Sequence, residues 1–220
     1  MDYRLTDLIR FINWDFLENT LLRAAAVLLC LTVHETCHGL AALALGDPTA
    51  REHHRLSLNP LRHIDWLGLA MMFAVGFGWA KPVPVDPRYF KKPKQGMALT
   101  ALAGPASNFL LAGLALLLSR ATMPHVLSTD SAAYILTAFL RVWVPPLSIG
   151  LGLFNLLPIP PLDGAKVLGA FLPDRTYFGL MRYERYGMLV LLALSFFGVT
   201  GDLINGAILG VYGWMASVLL

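Results

Sequence analysis

Charge is what this chain has least of: 14% of its 220 residues are Asp, Glu, Lys or Arg, against about 25% in an ordinary soluble domain. Glutamate occurs only at positions 18, 35, 52 and 184. The two cysteines, Cys30 and Cys37, share one apolar run, which excludes a disulfide framework. A net charge of +3 is too slight for a nucleic-acid-binding module. The first twenty residues lack the basic head, apolar run and small-residue cleavage site of a signal peptide. What the chain does have is hydrophobic bulk, 56% of residues, with a mean hydropathy of +0.60. A soluble body of this size cannot hide so much apolar surface, and a disordered chain would not carry it. The composition is that of an integral membrane protein.

The apolar residues fall into segments. The first, 21–45, holds Arg23 at its start and His34, Glu35 and His38 near its far end. Its 25 residues reach about 37 Å as a helix, enough to cross a ~30 Å hydrocarbon core with some tilt. Gly46-Asp47-Pro48 supplies a helix stop. Between 49 and 95 the character turns basic, with Arg51, Arg55, Arg62, Lys81, Arg88, Lys91, Lys92 and Lys94. Embedded there is 66–79, apolar but too short to span as a helix, so a membrane-dipping or re-entrant excursion is expected. Prolines 82, 84 and 87 require an extended 81–87. A charge-free spanning helix follows at 96–119. A kinked one at 133–157 contains Arg141 and Pro145-Pro146. Shorter segments lie at 164–172, 186–199 and 203–220. The expected fold is therefore an all-α polytopic membrane protein. It has five to six membrane segments, with a small membrane-associated β or re-entrant region between the first two spanning helices. No repeat or linker divides it: residues 1–220 read as a single domain, with a core at about 21–172 and C-terminal helices at 184–220. Bases concentrate in 47–95 and 166–185, which places both stretches on the cytoplasmic side.

Within the first spanning segment stands His34-Glu35-Thr36-Cys37-His38, an H-E-x-x-H string. Residues four apart share a helix face, so both imidazoles can grip one Zn2+ while the Glu beside them reaches an activated water. Ionisable groups inside a span cost at least ~2.5–3.5 kcal/mol each on insertion scales. Three on one turn therefore argue for a function over the blander reading, a polar notch against another helix. Zinc needs a third protein ligand and an open position. Position 44 is Ala44, which rules out a third histidine six residues on, and no glutamate stands in a suitable setting. Asp163 does, just beyond the proline-broken Leu157-Pro158-Ile159-Pro160-Pro161. Its other reading is an N-cap for the following helix.

The pairing of H-E-x-x-H with Asn155-Leu156-Leu157-Pro158-Ile159-Pro160-Pro161-Leu162-Asp163-Gly164 resembles the site-2 protease family of intramembrane zinc metalloproteases. More of the chain is similar to its compact prokaryotic members without PDZ or CBS domain. These stretches are Gly46-Asp47-Pro48, Leu58-Asn59-Pro60-Leu61-Arg62-His63-Ile64-Asp65, Gly78-Trp79-Ala80-Lys81-Pro82-Val83-Pro84-Val85 and Ala103-Gly104-Pro105-Ala106-Ser107-Asn108. The resemblance runs from about 21 to 198. It departs at Asp86, where Asn is expected, and that touches nothing catalytic. It implies His34, His38 and Asp163 as ligands of one zinc ion per chain, and Glu35 as the catalytic base. Asn155 is implied as a polar group that orients substrate or stabilises the oxyanion; its other reading is an amide satisfying helix-end carbonyls. The implied partners are single-span membrane protein substrates and the lipid bilayer, with no nucleic acid. The implied location is a prokaryotic inner membrane, with the zinc site towards the cytoplasm.

Blander roles suit the rest. Cys30 and Cys37 read as packing residues, His53 and His54 as solvated loop residues, His63 with Asp65 as a turn. Asn108 reads as a buried amide bonding across helices near the site. A peptide bond in a spanning helix must unwind to be cut, so substrate should bind extended, against 49–60 or 80–87. The rival reading is a membrane metal-binding or transport protein with no use for Glu35; a proteolytically dead scaffold is disfavoured because all four catalytic groups are present.

Overall fold

The structure is a computed structural model and describes residues 14–75, 79–126, 131–182, 184–196 and 199–220. Helix α1 (Trp14–Ala44) ends as its sequence dictates. Gly46 adopts φ +105°, its N–H donates to Leu43 O, and the Asp47 N–H reaches Ala42 O. This pair of bonds is the Schellman ending, and it needs a left-handed residue that glycine takes at no steric cost. The short α2 (Thr49–Glu52) follows. Then come a 3-10 turn at Pro60–Arg62 and α3 (Trp66–Val75), ten apolar residues. Asp65, which with His63 was expected to set a turn, accepts the Gly68 N–H at the start of α3, while His63 reaches Ser57 O.

The flanks of the 66–79 stretch, of which 76–78 lie outside the described residues, meet. Ile64 and Ala80 form an isolated antiparallel bridge, and the Lys81 N–H donates to His63 O. That bridge is the whole β content among the described residues, which contain no strand. The proline segment beyond it is extended as expected and is pinned by Asp47. This fully buried carboxylate accepts from the Asp86 N–H and from the backbone and hydroxyl of Thr49. Asp86 in turn caps the 3-10 turn Pro87–Tyr89 and pairs with Arg88, whose guanidinium holds the Asp86 carboxyl below the ordinary carboxylate range.

Helix α4 (Pro93–Val126) is the centre of the bundle. α5 (Ser131–Ala138) runs through a π turn at Phe139–Trp143 into α6 (Val144–Asn155). The expected kink is realised as this π turn, and the cause is chemical. Pro145 has no N–H and its ring crowds the carbonyl four residues back. That carbonyl, Arg141 O, accepts the Tyr212 hydroxyl instead. α7 (Asp163–Gly169), α8 (Asp174–Arg182), α9 (Glu184–Phe196) and α10 (Val199–Leu219) complete the chain.

Among the described residues, three helical stretches are long and apolar enough to cross a membrane: Asp15–Ala44, Pro93–Met123 and Ala132–Asn155; Ile204–Leu219 is apolar but shorter. Small residues bring α1 and α4 together, as in membrane helices where backbone approach replaces the hydrophobic effect, while larger side chains fill the contact with α10. Ala26, Cys30, Ala115 and Val144 join α1, α4 and α6. Ala112, Leu116, Ile149 and Met215 join α4, α6 and α10. Leu110, Leu114, Leu117 and Leu118 point outward from α4, exposed, which suits a lipid solvent.

Candidate metal centre

His34 and His38 lie one turn apart on α1, both buried, with ring centroids 4.5 Å apart and planes near perpendicular at 89°. Their Nε2 atoms are 2.9 Å apart. Asp163, 125 residues further along, enters from the start of α7, and its Oδ2 lies 3.2 Å from His34 Nε2 and 3.1 Å from His38 Nε2. The N-cap reading of Asp163 does not hold: Leu162 is the cap residue, Asp163 is the first helical residue, and no side-chain capping bond forms. The carboxylate is turned to the imidazoles instead.

The protonation of this triangle follows from what lies behind it. The Nδ1 atom of His34 is 2.6 Å from Asn108 Oδ1, and that amide's nitrogen already donates to Ser148 Oγ and Cys30 O. The Nδ1 atom of His38 is 2.7 Å from Thr100 O, a pure acceptor. Both rings must therefore carry hydrogen at Nδ1, which leaves a lone pair on each Nε2 in the neutral imidazole. Asp163 Oδ2 is buried and has no hydrogen-bond partner. Three lone-pair atoms thus face one another with nothing to share. Three ligands of a tetrahedral zinc at the usual ~2.0–2.1 Å bond lengths stand about 3.3 Å apart. The separations of 2.9–3.2 Å fit that demand. His34, His38 and Asp163 form the group able to hold a metal ion among the described residues, and Lys166 Nζ stands 3.9 Å from the other Asp163 oxygen.

Close approach of α4 makes this arrangement possible. A Cβ on Gly104 would lie 2.4 Å from His38 Nε2 and 2.7 Å from His34 Cε1, so any larger residue would displace the imidazoles. Sequence reasoning gave Asn108 a structural part near the site, read the small residues from Gly104 onward as allowing close helix packing, and gave Thr100 none. Nothing local announces them, since their partners lie 62 to 74 residues away; Asn108 buried in an apolar helix was the one available signal.

Glu35, half-buried, points to another neighbour: its Oε2 accepts the Val83 N–H at 3.0 Å. The proline segment therefore lies directly against this carboxylate. Asn155 is at the end of α6, and its amide donates to Leu151 O at 2.9 Å, the bond of a helix-end amide. Cys30 packs in the core between α1 and α6, and His53 and His54 are exposed.

Apolar helices of spanning length and a buried His-His-Asp triad define a membrane protein with a candidate metal centre. The comparisons place it further. The model of peptidase family M50 matches residues 121–198, a stretch that includes Asp163. The chain is 39% identical over 171 residues to a Bacillus subtilis protein named "Putative zinc metalloprotease YwhC", covering 76% of this chain and 77% of that one. A protein of the same description named Rip2, from Mycobacterium tuberculosis, is 31% identical over 197 residues, covering 87% of this chain and 71% of that one. The Mycolicibacterium smegmatis Rip2 is 31% identical over 177 residues, 77% of this chain and 64% of that protein. No solved structure matches. The chain belongs to peptidase family M50, the site-2 protease family of zinc metalloproteases.

Proposed function

We propose that this protein is an intramembrane endopeptidase that hydrolyses peptide bonds within or next to membrane-spanning segments of single-span substrates. His34, His38 and Asp163 hold one zinc ion, and Glu35 is the general base. The observation that carries the reading is the buried triangle of lone-pair atoms beside Glu35. Zinc bound there supplies Lewis acidity and brings the pKa of water towards ~7. Asn108 and Thr100 keep the Nδ1 hydrogens in place, so that each Nε2 stays a donor of electrons. Glu35 takes the proton of the attacking water and passes it to the leaving amine. Asn155, at the end of α6 where the chain unwinds towards Asp163, turns its amide to the developing oxyanion.

Substrate binds extended along 80–87. The alternation of prolines supports this. Successive residues of an extended chain point their N–H and C=O groups to opposite sides. Pro82 and Pro84 have no N–H, and the Asp86 N–H on the same edge is taken by Asp47, so from 82 to 86 that edge has no free donor. The opposite edge carries the Val83 N–H, which already faces Glu35. On that edge the Lys81 and Val83 N–H groups bond His63 O and Glu35, so a peptide strand pairing there takes the Val83 N–H from Glu35 as it enters. Residues 1–220 act as one domain, with the core at 21–172 and the helices of 184–220 outside it. Adding the re-entrant 66–79, supported by the Ile64 and Ala80 bridge, and the shorter C-terminal helices gives five to six membrane segments. The location is a prokaryotic inner membrane, with the zinc site on the cytoplasmic side where the bases of 47–95 gather.

The test is cleavage of a single-span substrate by the purified protein, wild type against Glu35→Gln, with zinc measured in both. General-base loss should cost about 10^3-fold or more in rate at unchanged zinc content. Undiminished cutting would remove Glu35 from the mechanism. Zinc binding with no hydrolysis by the wild type would favour the transport reading.

A further inference from the structure

Among the loops between α1 and α4 lies an open depression of about 530 Å3 lined by Arg55, Arg62, Lys81, Asp65, Leu61 and Trp66, with Ile64, His53 and His54 also in its wall. Its three permanent cations come from separate stretches of the 47–95 region, and none is ion-paired among the described residues. Its one carboxylate, Asp65, accepts the Gly68 N–H through Oδ1 and offsets one of the three positive charges, leaving the depression net cationic. Like charges brought together in this way repel unless an anion joins them. The two guanidiniums are also prepositioned. Arg55 is buried, and its Nη2 donates to Lys81 O while its Nε has no partner. Arg62 Nη1 donates to His54 O. One bond to a backbone carbonyl fixes each fork and leaves further donors free, the arrangement in which arginine takes a phosphate.

The surroundings of the cavity say which phosphate. Trp66 opens the apolar helix α3 and is 73% exposed. Leu58, Leu61 and Leu67 beside it are exposed as well. Large apolar side chains around a cationic hollow, with tryptophan where an apolar helix begins, mark the level of lipid headgroups. We propose that this cavity binds the phosphate of an anionic phospholipid, with Arg55, Arg62 and Lys81 as its ligands and Trp66 and Leu67 against the acyl boundary. The site uses none of the proposed zinc ligands, although Lys81 belongs to the 80–87 segment. Arg55 links it to the 80–87 segment through Lys81 O.

The experiment is lipid retention by the delipidated full chain in detergent, read by native mass spectrometry. Phosphatidylglycerol, phosphatidylcholine and inorganic phosphate are titrated separately and in competition. Phosphatidylglycerol should be held more tightly than phosphatidylcholine. Arg62→Gln and Lys81→Gln should each weaken it about fivefold, the loss of one interfacial charge, and together remove the preference while zinc content stays at the wild-type level. If the double variant does not fold, the singles carry the test, and the charge-conserving Lys81→Arg should keep the preference. Equal retention of the two lipids would overturn the proposal, as would a preference that survives both substitutions. Tight binding of inorganic phosphate without the lipid would reassign the cavity to a free anion. Displacement of the lipid by an acidic peptide at lower concentration would reassign it to a substrate flank. Either result refutes the lipid assignment.

Discussion

Helix α4 has two seams, and they are built from opposite materials. Thr100, Gly104 and Asn108 face the histidines of α1, whereas Ala112, Leu116 and their neighbours face α6 and α10. All five positions are four apart on one helix. Steps of four advance about 40° each around an α-helix, so the stripe winds from one partner to the next as its chemistry changes from polar to apolar. The polar seam sets angles and protonation; the apolar seam supplies van der Waals contact and little else. A defect in the first should therefore abolish metal binding in a protein that still folds. A defect in the second should weaken a protein that still binds metal.

Gly104→Ala is the sharpest way to break that contrast. A methyl 2.4 Å from His38 Nε2 should lower zinc affinity by more than about 100-fold, beyond the 10- to 100-fold usual for loss of an outer-shell partner, with helix content by circular dichroism unchanged. Normal zinc binding would mean that α4 can withdraw freely and that the seam is not rigid. Asn108→Ala should act on the His34 ring by removing the acceptor of its Nδ1 hydrogen, lowering zinc affinity about 10- to 100-fold. Competition with a chromogenic chelator measures both. Val83→Pro removes the N–H that reaches Glu35 and should slow cleavage about tenfold without altering zinc content; an unchanged rate would separate the proline segment from the base. Smallest is Met215→Ala on the apolar seam. It should cost about 1 kcal/mol of stability in detergent and leave zinc affinity and rate per folded molecule at wild-type values. A loss of zinc from Met215→Ala would erase the distinction between the seams.

The sequence made the polar seam half visible. His34, Glu35 and His38 announce themselves by spacing on one helix, and Asp163 by its place after a broken backbone. The structure brings side-chain atoms of His34, His38 and Asp163 within 3.2 Å of one another. The stop at Gly46 and the extended prolines were equally legible, because the backbone chemistry of those residues is local. Thr100 was invisible because it acts through a carbonyl, which every residue has. The role of Gly104 depends on what faces it, and a glycine in an apolar helix has many uses. The contact between Glu35 and Val83 spans 48 residues and leaves no pattern in either segment. The form of the bend before Pro145 was hidden too, since it takes Tyr212 from a distant helix to satisfy Arg141 O.

The orphaned Asp163 oxygen carries one more consequence. A ring of mutually repelling atoms joins the first apolar helix to the segment after the third, so the cation that fits it is also a keystone. Stripping it with a chelator should loosen that joint and lower the melting temperature in proportion to the occupancy lost. Assays of the depleted protein would then report a slackened architecture as well as a silent catalyst, and recovery on readdition should lag behind binding by the time the bundle takes to close.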